Sequence, residues 1–243
     1  MARALRYTDL ADDLRRRIAT GELRPGRLLP SEAQLAAEHD LSRVTVRKAL
    51  AVLRDAGLVA SRQGFGWYVA PTPVPQPLDG LRTIEANVLA AGQAPQRRVL
   101  GFGFVDAPRR AREVLGVDTV LEIRRVNLAD DEAFARVTVW VPESLATDLS
   151  RAAVERQSLY ELLPTTLGGA SQVISAVPAT ADDAALLGLP TGTPLLRAER
   201  TTRDTNGAAV LLSEAVFNPL LTELVVELPP TGEAEPTGLR LVR

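Results

Sequence analysis

The sequence predicts an α+β chain in two parts: a helical N-terminal part closed by a β-hairpin, then an antiparallel sheet with helices around it. Three observations predict this. Apolar residues recur at helical spacing through the first part, as in Val46, Ala49, Leu50 and Leu53. Prolines then alternate through Ala70-Pro71-Thr72-Pro73-Val74-Pro75-Gln76-Pro77, a composition that is extended and semi-rigid and marks a boundary. Beyond it, strand-like runs return on one another through short turns such as Thr205-Asn206-Gly207, the pattern of an antiparallel sheet.

The first part is predicted element by element. Residues 7–20 form an amphipathic helix with Tyr7, Leu10, Leu14 and Ile18 on one face. Ser31 and Ser42 each precede a helical run and are placed to accept a backbone N–H as N-caps. Between them Ala33, Leu35, Ala36 and Ala37 make a short helix, and His39-Asp40 makes the turn. In the next helix Arg43 and Arg47 lie one turn apart, beside the apolar stripe and near the N-terminal end. Gly57 ends that helix. Residues 58–62 and 67–69 form two strands around the tip Gln63-Gly64-Phe65-Gly66, where glycine permits a tight reversal or a close approach to phosphate. Three helices and a hairpin make a winged helix-turn-helix. Its third helix carries basic and hydroxyl residues on its first turns, the geometry that enters a DNA major groove. The alternative for Arg43 and Arg47 is a solvated helix face.

The second part starts with a helix over 81–91 ended by Gly92, a strand over 97–105 and a helix over 108–115 before Gly116. Strands 120–129 and 133–141 are joined by Asp130-Asp131-Glu132. A helix over 159–163, a strand over 171–177 and a helix over 181–187 follow. Strands 195–203 and 208–217 form a hairpin, and 220–228 gives a last strand. The expected organisation is therefore residues 1–70, a proline-rich linker over 71–79, a second domain over 80–230 and a flexible tail over 231–243.

Composition bounds the function. The 243 residues suffice for two domains without disulfides or metals. There is no Cys and His39 is the only His, so a Cys-ligated metal and a His zinc cluster are excluded; no cofactor is expected. No apolar run has the length of a membrane span and the N-terminus lacks a signal-peptide pattern, so a cytoplasmic protein with no membrane partner is expected. The net charge of −2 hides an asymmetry. Residues 1–70 hold 12 Arg or Lys against 8 Asp or Glu, and the remainder hold 16 against 22. A basic first third and an acidic remainder suit a DNA-reading module joined to a domain with another task.

The run from Tyr7 to Gly66, through Gly21-Glu22-Leu23-Arg24-Pro25-Gly26, Leu29-Pro30-Ser31-Glu32, Leu41-Ser42-Arg43-Val44-Thr45-Val46-Arg47 and Gln63-Gly64-Phe65-Gly66, resembles the DNA-binding domain of GntR-type bacterial transcription regulators. The second part, through Leu115-Gly116, Ile123-Arg124-Arg125, Val141-Pro142, Ser158-Leu159-Tyr160-Glu161-Leu162, Gly192-Thr193-Pro194 and Glu199-Arg200, is similar to the UTRA effector-binding domain of the HutC branch, whose fold is related to chorismate lyase.

The resemblance implies DNA contacts at Ser31, Ser42, Arg43, Thr45, Arg47, Gln63 and Gly64. Arg43 and Arg47 are then the base readers, since arginine binds the O6/N7 edge of guanine with two hydrogen bonds. Ala33 departs from the polar or basic residue that many relatives carry there. Asp40 stands for the commoner glycine of the turn and tolerates left-handed backbone. His39 is expected to be structural.

For the second domain the resemblance implies an effector site at Thr83, Glu85, Arg125, Asn127, Val137, Ser213 and Phe217. Many sugar-phosphate-sensing relatives carry a second arginine where Asn127 falls, a glutamate at Val137 and a tyrosine at Phe217. A carboxylate at Glu85, where a phosphate would dock, is repulsive. The expectation is an apolar pocket for a neutral or cationic effector, not a phosphorylated sugar. The expected protein is a repressor that binds double-stranded DNA at an imperfect palindrome as a homodimer. Two alternatives stay open: a constitutive DNA-binding protein whose second domain only dimerises, and an enzyme with lyase-type chemistry. No acid/base pair or metal cluster in the sequence supports the enzyme.

Overall fold

The structure is a computed structural model that describes residues 2–62, 66–71, 73–78 and 80–227, with side chains from Tyr7 onward. The wing-tip residues Gln63, Gly64 and Phe65 and the tail 231–243 lie outside the described residues.

The first part holds α1 (Ala2–Ala19), α2 (Glu32–Glu38), α3 (Arg43–Asp55), β1 (Val59–Arg62) and β2 (Gly66–Val69). Ser31 caps α2 in a capping box with Gln34, and Ser42 caps α3 by accepting from Thr45 N. Asp40 carries the α2–α3 turn at φ 50°, the left-handed geometry the turn demands. The α3 stripe Val46, Ala49, Leu50 and Leu53 is fully buried and packs on Leu10, Leu14, Leu35, Val59 and Val69. Leu50→Ala removes a fully buried side chain from the centre of this small core. It should lower unfolding stability by about 2–5 kcal/mol, read as an earlier urea midpoint. The segment before α2 adds to the hairpin sheet: Gly26 N and Leu29 N donate to the carbonyls of Val69 and Trp67.

The second part contains β3 (Val74–Pro77), α4 (Ile84–Ala90), β4 (Pro95–Asp106), α5 (Arg109–Leu115), β5 (Thr119–Ala129) and β6 (Glu132–Pro142). After a 3-10 turn at Glu143–Leu145 come α6 (Arg151–Arg156), α7 (Leu159–Leu162), β7 (Leu167–Pro178), α8 (Ala181–Leu187), β8 (Pro194–Asp204), β9 (Ala209–Phe217) and β10 (Thr222–Val225). Six strands form one antiparallel sheet in the order β4-β5-β6-β9-β8-β7. Helices α4, α6 and α7 belong to the core on one face of this sheet, while α5 packs against β9 and α8 against β6 in separate apolar clusters.

Three expectations are corrected. Glu132 is not a turn residue. Asp130 and Asp131, at φ 48° and 66°, close a two-residue hairpin turn, and Glu132 is the first residue of β6. The last strand does not join the main sheet. It pairs in parallel with Val74–Pro77, so this stretch of the expected linker is itself a strand. The proline alternation fits that role: Val74 N and Leu78 N donate to Leu221 O and Val225 O, while Pro75 and Pro77, which have no N–H, take the alternate positions. Finally, α6 was not expected. It buries only Val154, too little to leave a periodic signal.

The two parts meet at the start of β6. Arg27 Nε lies 2.5 Å from Glu132 Oε1, and Arg24 Nη1 lies 4.0 Å from Glu132 Oε2. Burial pushes the Glu132 carboxyl above its usual range, an effect that Arg27 and Arg24 only partly offset.

Candidate functional site

Two surfaces carry the expected chemistry. The first is the exposed N-terminal end of α3. Arg43 projects there with no hydrogen bond or ion pair among the described residues, so its five donors are open. Arg47 is exposed as well, and its Nε donates to Glu32 Oε2 at 2.7 Å. The other Glu32 oxygen accepts from Trp67 Nε1 at 3.3 Å, so Glu32 ties the third helix to the wing. Ser42 Oγ and Thr45 Oγ1 lie 2.8 Å apart in a hydrogen bond that either hydroxyl can donate. Ser31 is exposed and its hydroxyl is used in capping. Gln63 and Gly64 lie outside the described residues. His39 is partly buried, 3.9 Å from Glu38 and beside Asp9, Asp13 and Leu41.

Sequence reasoning missed Val44. It is 77% exposed, the highest exposure among the large hydrophobic side chains described, and it stands between Arg43 and Thr45. The signal was available, because Val44 falls off the i, i+3, i+4 stripe that buries Val46.

The second surface is a cavity of about 80 Å³ in the sheet domain. Side chains alternate across a strand, so one face of β5, β6, β8 and β9 supplies its floor. Arg125, Val137, Ala215 and Ala198 lie in one cross-strand row, and Val139, Ser213, Arg200 and Gln172 in the next. Residues of α4, α7 and the β3–β10 pair wall it from above, including Glu85, Tyr160, Gln76 and Leu224. Six expected residues line this one cavity: Thr83, Glu85, Arg125, Val137, Ser213 and Phe217. Thr83 is also the N-cap of α4, accepting from Ala86 N at 3.1 Å.

Asn127 is not among the lining residues. It is buried behind Glu85 and donates Nδ2 to Glu85 Oε1 at 2.6 Å, so any effect on a ligand passes through that carboxylate. Asn127→Ala should leave ligand-free DNA affinity unchanged and alter the ligand response, read by DNA-binding titrations with and without effector. Equal loss of DNA binding in both would contradict this placement.

The electrostatics differ from the sequence expectation. Glu85 accepts from Arg97 Nε at 2.8 Å and lies 2.7 Å from Arg97 Nη2. Burial alone would raise the Glu85 carboxyl, but the charges of Arg125 and Arg97 outweigh it and hold the group below its usual range. Arg125 hydrogen-bonds to none of the described residues, and its Nε is buried without a partner. Burial lowers its guanidinium to about 10, against the opposing pull of Glu85. Arg200 donates to Gln172 Oε1 at 2.7 Å, Tyr160 Oη at 3.1 Å and the Arg82 carbonyl at 3.3 Å, all neutral acceptors.

Four arginines thus line the cavity against a single carboxylate that is already paired. The expectation of a neutral or cationic ligand rested on Glu85 standing unbalanced, and Arg97 removes that premise. Arg97, Tyr160, Gln172 and Arg200 were missed as site residues. Alternation along β8, with Leu196, Ala198 and Arg200 on one face, was the signal for Arg200.

A winged helix-turn-helix joined to a domain with a side-chain-lined cavity defines a DNA-binding transcription regulator with a small-molecule-binding domain. The comparisons identify it further. Residues 6–69 match the family model described as bacterial regulatory proteins, gntR family, and residues 90–220 match the UTRA domain. The chain belongs to the GntR family of bacterial transcription regulators and carries a UTRA domain. It is 35% identical over 240 residues to the HTH-type transcriptional regulator Rv0792c of Mycobacterium tuberculosis, covering 96% of this chain and 89% of that one. It is 30% identical over 218 residues to the HTH-type transcriptional repressor NagR of Bacillus subtilis, covering 87% and 89%. Among solved structures, PhnF from Mycobacterium smegmatis superposes with a TM-score of 0.62 at 25% identity, over 91% of this chain and 99% of that one. No helix among the described residues is long and apolar enough to cross a membrane.

Proposed function

We propose that this chain is a repressor that binds an imperfect palindromic operator as a homodimer and is released or tightened by a small molecule in the sheet-domain cavity. The observation that carries effector control is the double role of β3. Gln76, Pro77 and Leu78 wall the cavity, and β3 begins soon after the wing strand β2 ends at Val69. A ligand pressing on that wall acts on the segment that holds the reading head. It shifts the head's position only if its affinity differs between the two arrangements.

On DNA, Arg43 and Arg47 read guanine edges, Ser42, Thr45 and Ser31 meet phosphates or base edges, and the wing tip with Gln63 and Gly64 approaches the minor groove. Val44 supplies apolar contact for a thymine methyl. Reading by Arg47 requires it to leave Glu32, and an exposed ion pair of this kind costs at most about 1 kcal/mol to open. Several relatives are named repressors, NagR among them, which supports that direction of control.

Pairing is proposed through the sheet domain. β7 is an edge strand of twelve residues on which Val173 and Ile174 are exposed on successive faces. Two such edges related by a two-fold axis run antiparallel and continue the sheet across the dimer.

The test is binding of the purified protein to the DNA upstream of its own gene against scrambled DNA, across a salt series. The proposal expects selective binding whose affinity falls steeply with salt. Weak binding, equal on both DNAs and on sites selected from random sequence, contradicts it.

A further inference from the structure

Resting on the reading of the cavity as the effector site, we propose that the effector is a compact carboxylic acid with an apolar body, anchored by Arg125 and Arg200. The two guanidinium groups stand on opposite sides of the floor, one on β5 and one on β8, with β6 and β9 between them.

The floor between these cations is hydrocarbon. Val137, Val139, Ala198, Leu211 and Ala215 face the cavity there, and Ser213 is the single hydroxyl that β6, β8 and β9 contribute. The polar groups of Gln76, Thr83, Ser158, Tyr160 and Gln172 can meet sugar hydroxyls that point away from this floor, but each hydroxyl lying on it without a partner costs about 1–3 kcal/mol. An apolar body meets no such cost on this floor and gains from being covered.

The charge pattern selects the head group. A cationic ligand meets a carboxylate whose charge Arg97 already neutralises through Oε1, with only Glu85 Oε2 left without a partner among the described residues. An anion finds two guanidinium groups that no carboxylate touches directly. Arg125 has no hydrogen-bond partner among the described residues, and Arg200 is held in place by neutral acceptors that orient it without cancelling its charge. A carboxylate satisfies the fork of an arginine with two parallel hydrogen bonds. Burial lowers the Arg125 guanidinium to about 10, and an anion bound beside it favours its charged form.

The experiment pairs each acid with its uncharged amide on the unaltered chain, so that it does not depend on how a variant folds. Benzoate and benzamide, and hexanoate and hexanamide, are compared with glucosamine 6-phosphate and putrescine at millimolar concentration. Melting temperature and operator affinity are both recorded. The expected result is that an acid raises the melting temperature and changes operator affinity, with its amide at least about 10-fold weaker. In Arg200→Gln the acid should lose about 10- to 100-fold in affinity while the amide is unaffected.

Binding of the phosphosugar, putrescine or the amides in preference to the acids would overturn the ligand class and leave effector control standing. Failure of every probe to shift the melting temperature would also overturn the class. If a total small-molecule extract then left operator affinity unchanged as well, effector control itself would fail.

Discussion

Val173→Glu combined with Ile174→Glu should separate the proposed homodimer into monomers and weaken operator binding by about 100- to 10,000-fold. Both side chains are exposed on the edge strand β7, so the change leaves the fold of one subunit intact. Across a two-fold axis four new carboxylates would lie along the paired edges, and like charges close together on paired strands repel. The affinity loss comes from valence. A monomer binds one half-site, and the second half-site no longer benefits from the high effective concentration that the dimer provides. Sedimentation and operator titration of the same sample check the two halves together. A variant that stays dimeric moves the interface away from β7, and a monomer with unchanged affinity removes the need for a dimer.

Arg43→Ala should cost about 1–3 kcal/mol on the operator and relax base preference at one position of each half-site. Arg43 carries this expectation more cleanly than Arg47 because it has no partner to surrender among the described residues. Arg47→Ala should lose affinity of the same order, less what is regained by not opening its pair with Glu32. Glu32 loses this partner both in Arg47→Ala and when Arg47 reads a base, keeping only Trp67 Nε1. Glu32→Gln in the Arg47→Ala background reports whether its carboxylate repels the phosphates. Selection of bound sequences from random DNA gives the base preference, and titration at fixed salt gives the affinity. Intact affinity and preference in Arg43→Ala would leave α3 outside the major groove.

The N-terminal part was legible because its determinants are local. The caps at Ser31 and Ser42, the left-handed turn at Asp40 and the buried stripe of α3 each depend on residues within a few positions. The cavity was legible only in outline. Thr83, Glu85 and Arg125 could be aligned by resemblance, but the charge around them is set by contacts between distant segments. Arg97 reaches Glu85 because α4 packs against β4, and the β4–β5 register sets Arg97 opposite Asn127, which holds the same carboxylate. Arg200 reaches Tyr160 across forty positions of chain. The parallel pairing of β3 with β10 joins a stretch before the sheet to one after it, and nothing near either segment signals it. Period-two alternation says which side chains share a face and is silent on which strands are neighbours.

The central claim is that two copies of α3 enter successive major grooves of one site. The chain has no cysteine, so Val44→Cys places a single thiol at the exposed start of α3, where an iron chelate that cuts DNA can be attached. On a site selected from random DNA, the account predicts two clusters of cleavage. They should be centred in the major groove on the same face of the duplex and separated by whole helical turns of about 10 base pairs. One cluster, or cleavage spread equally over selected and random DNA, would contradict it.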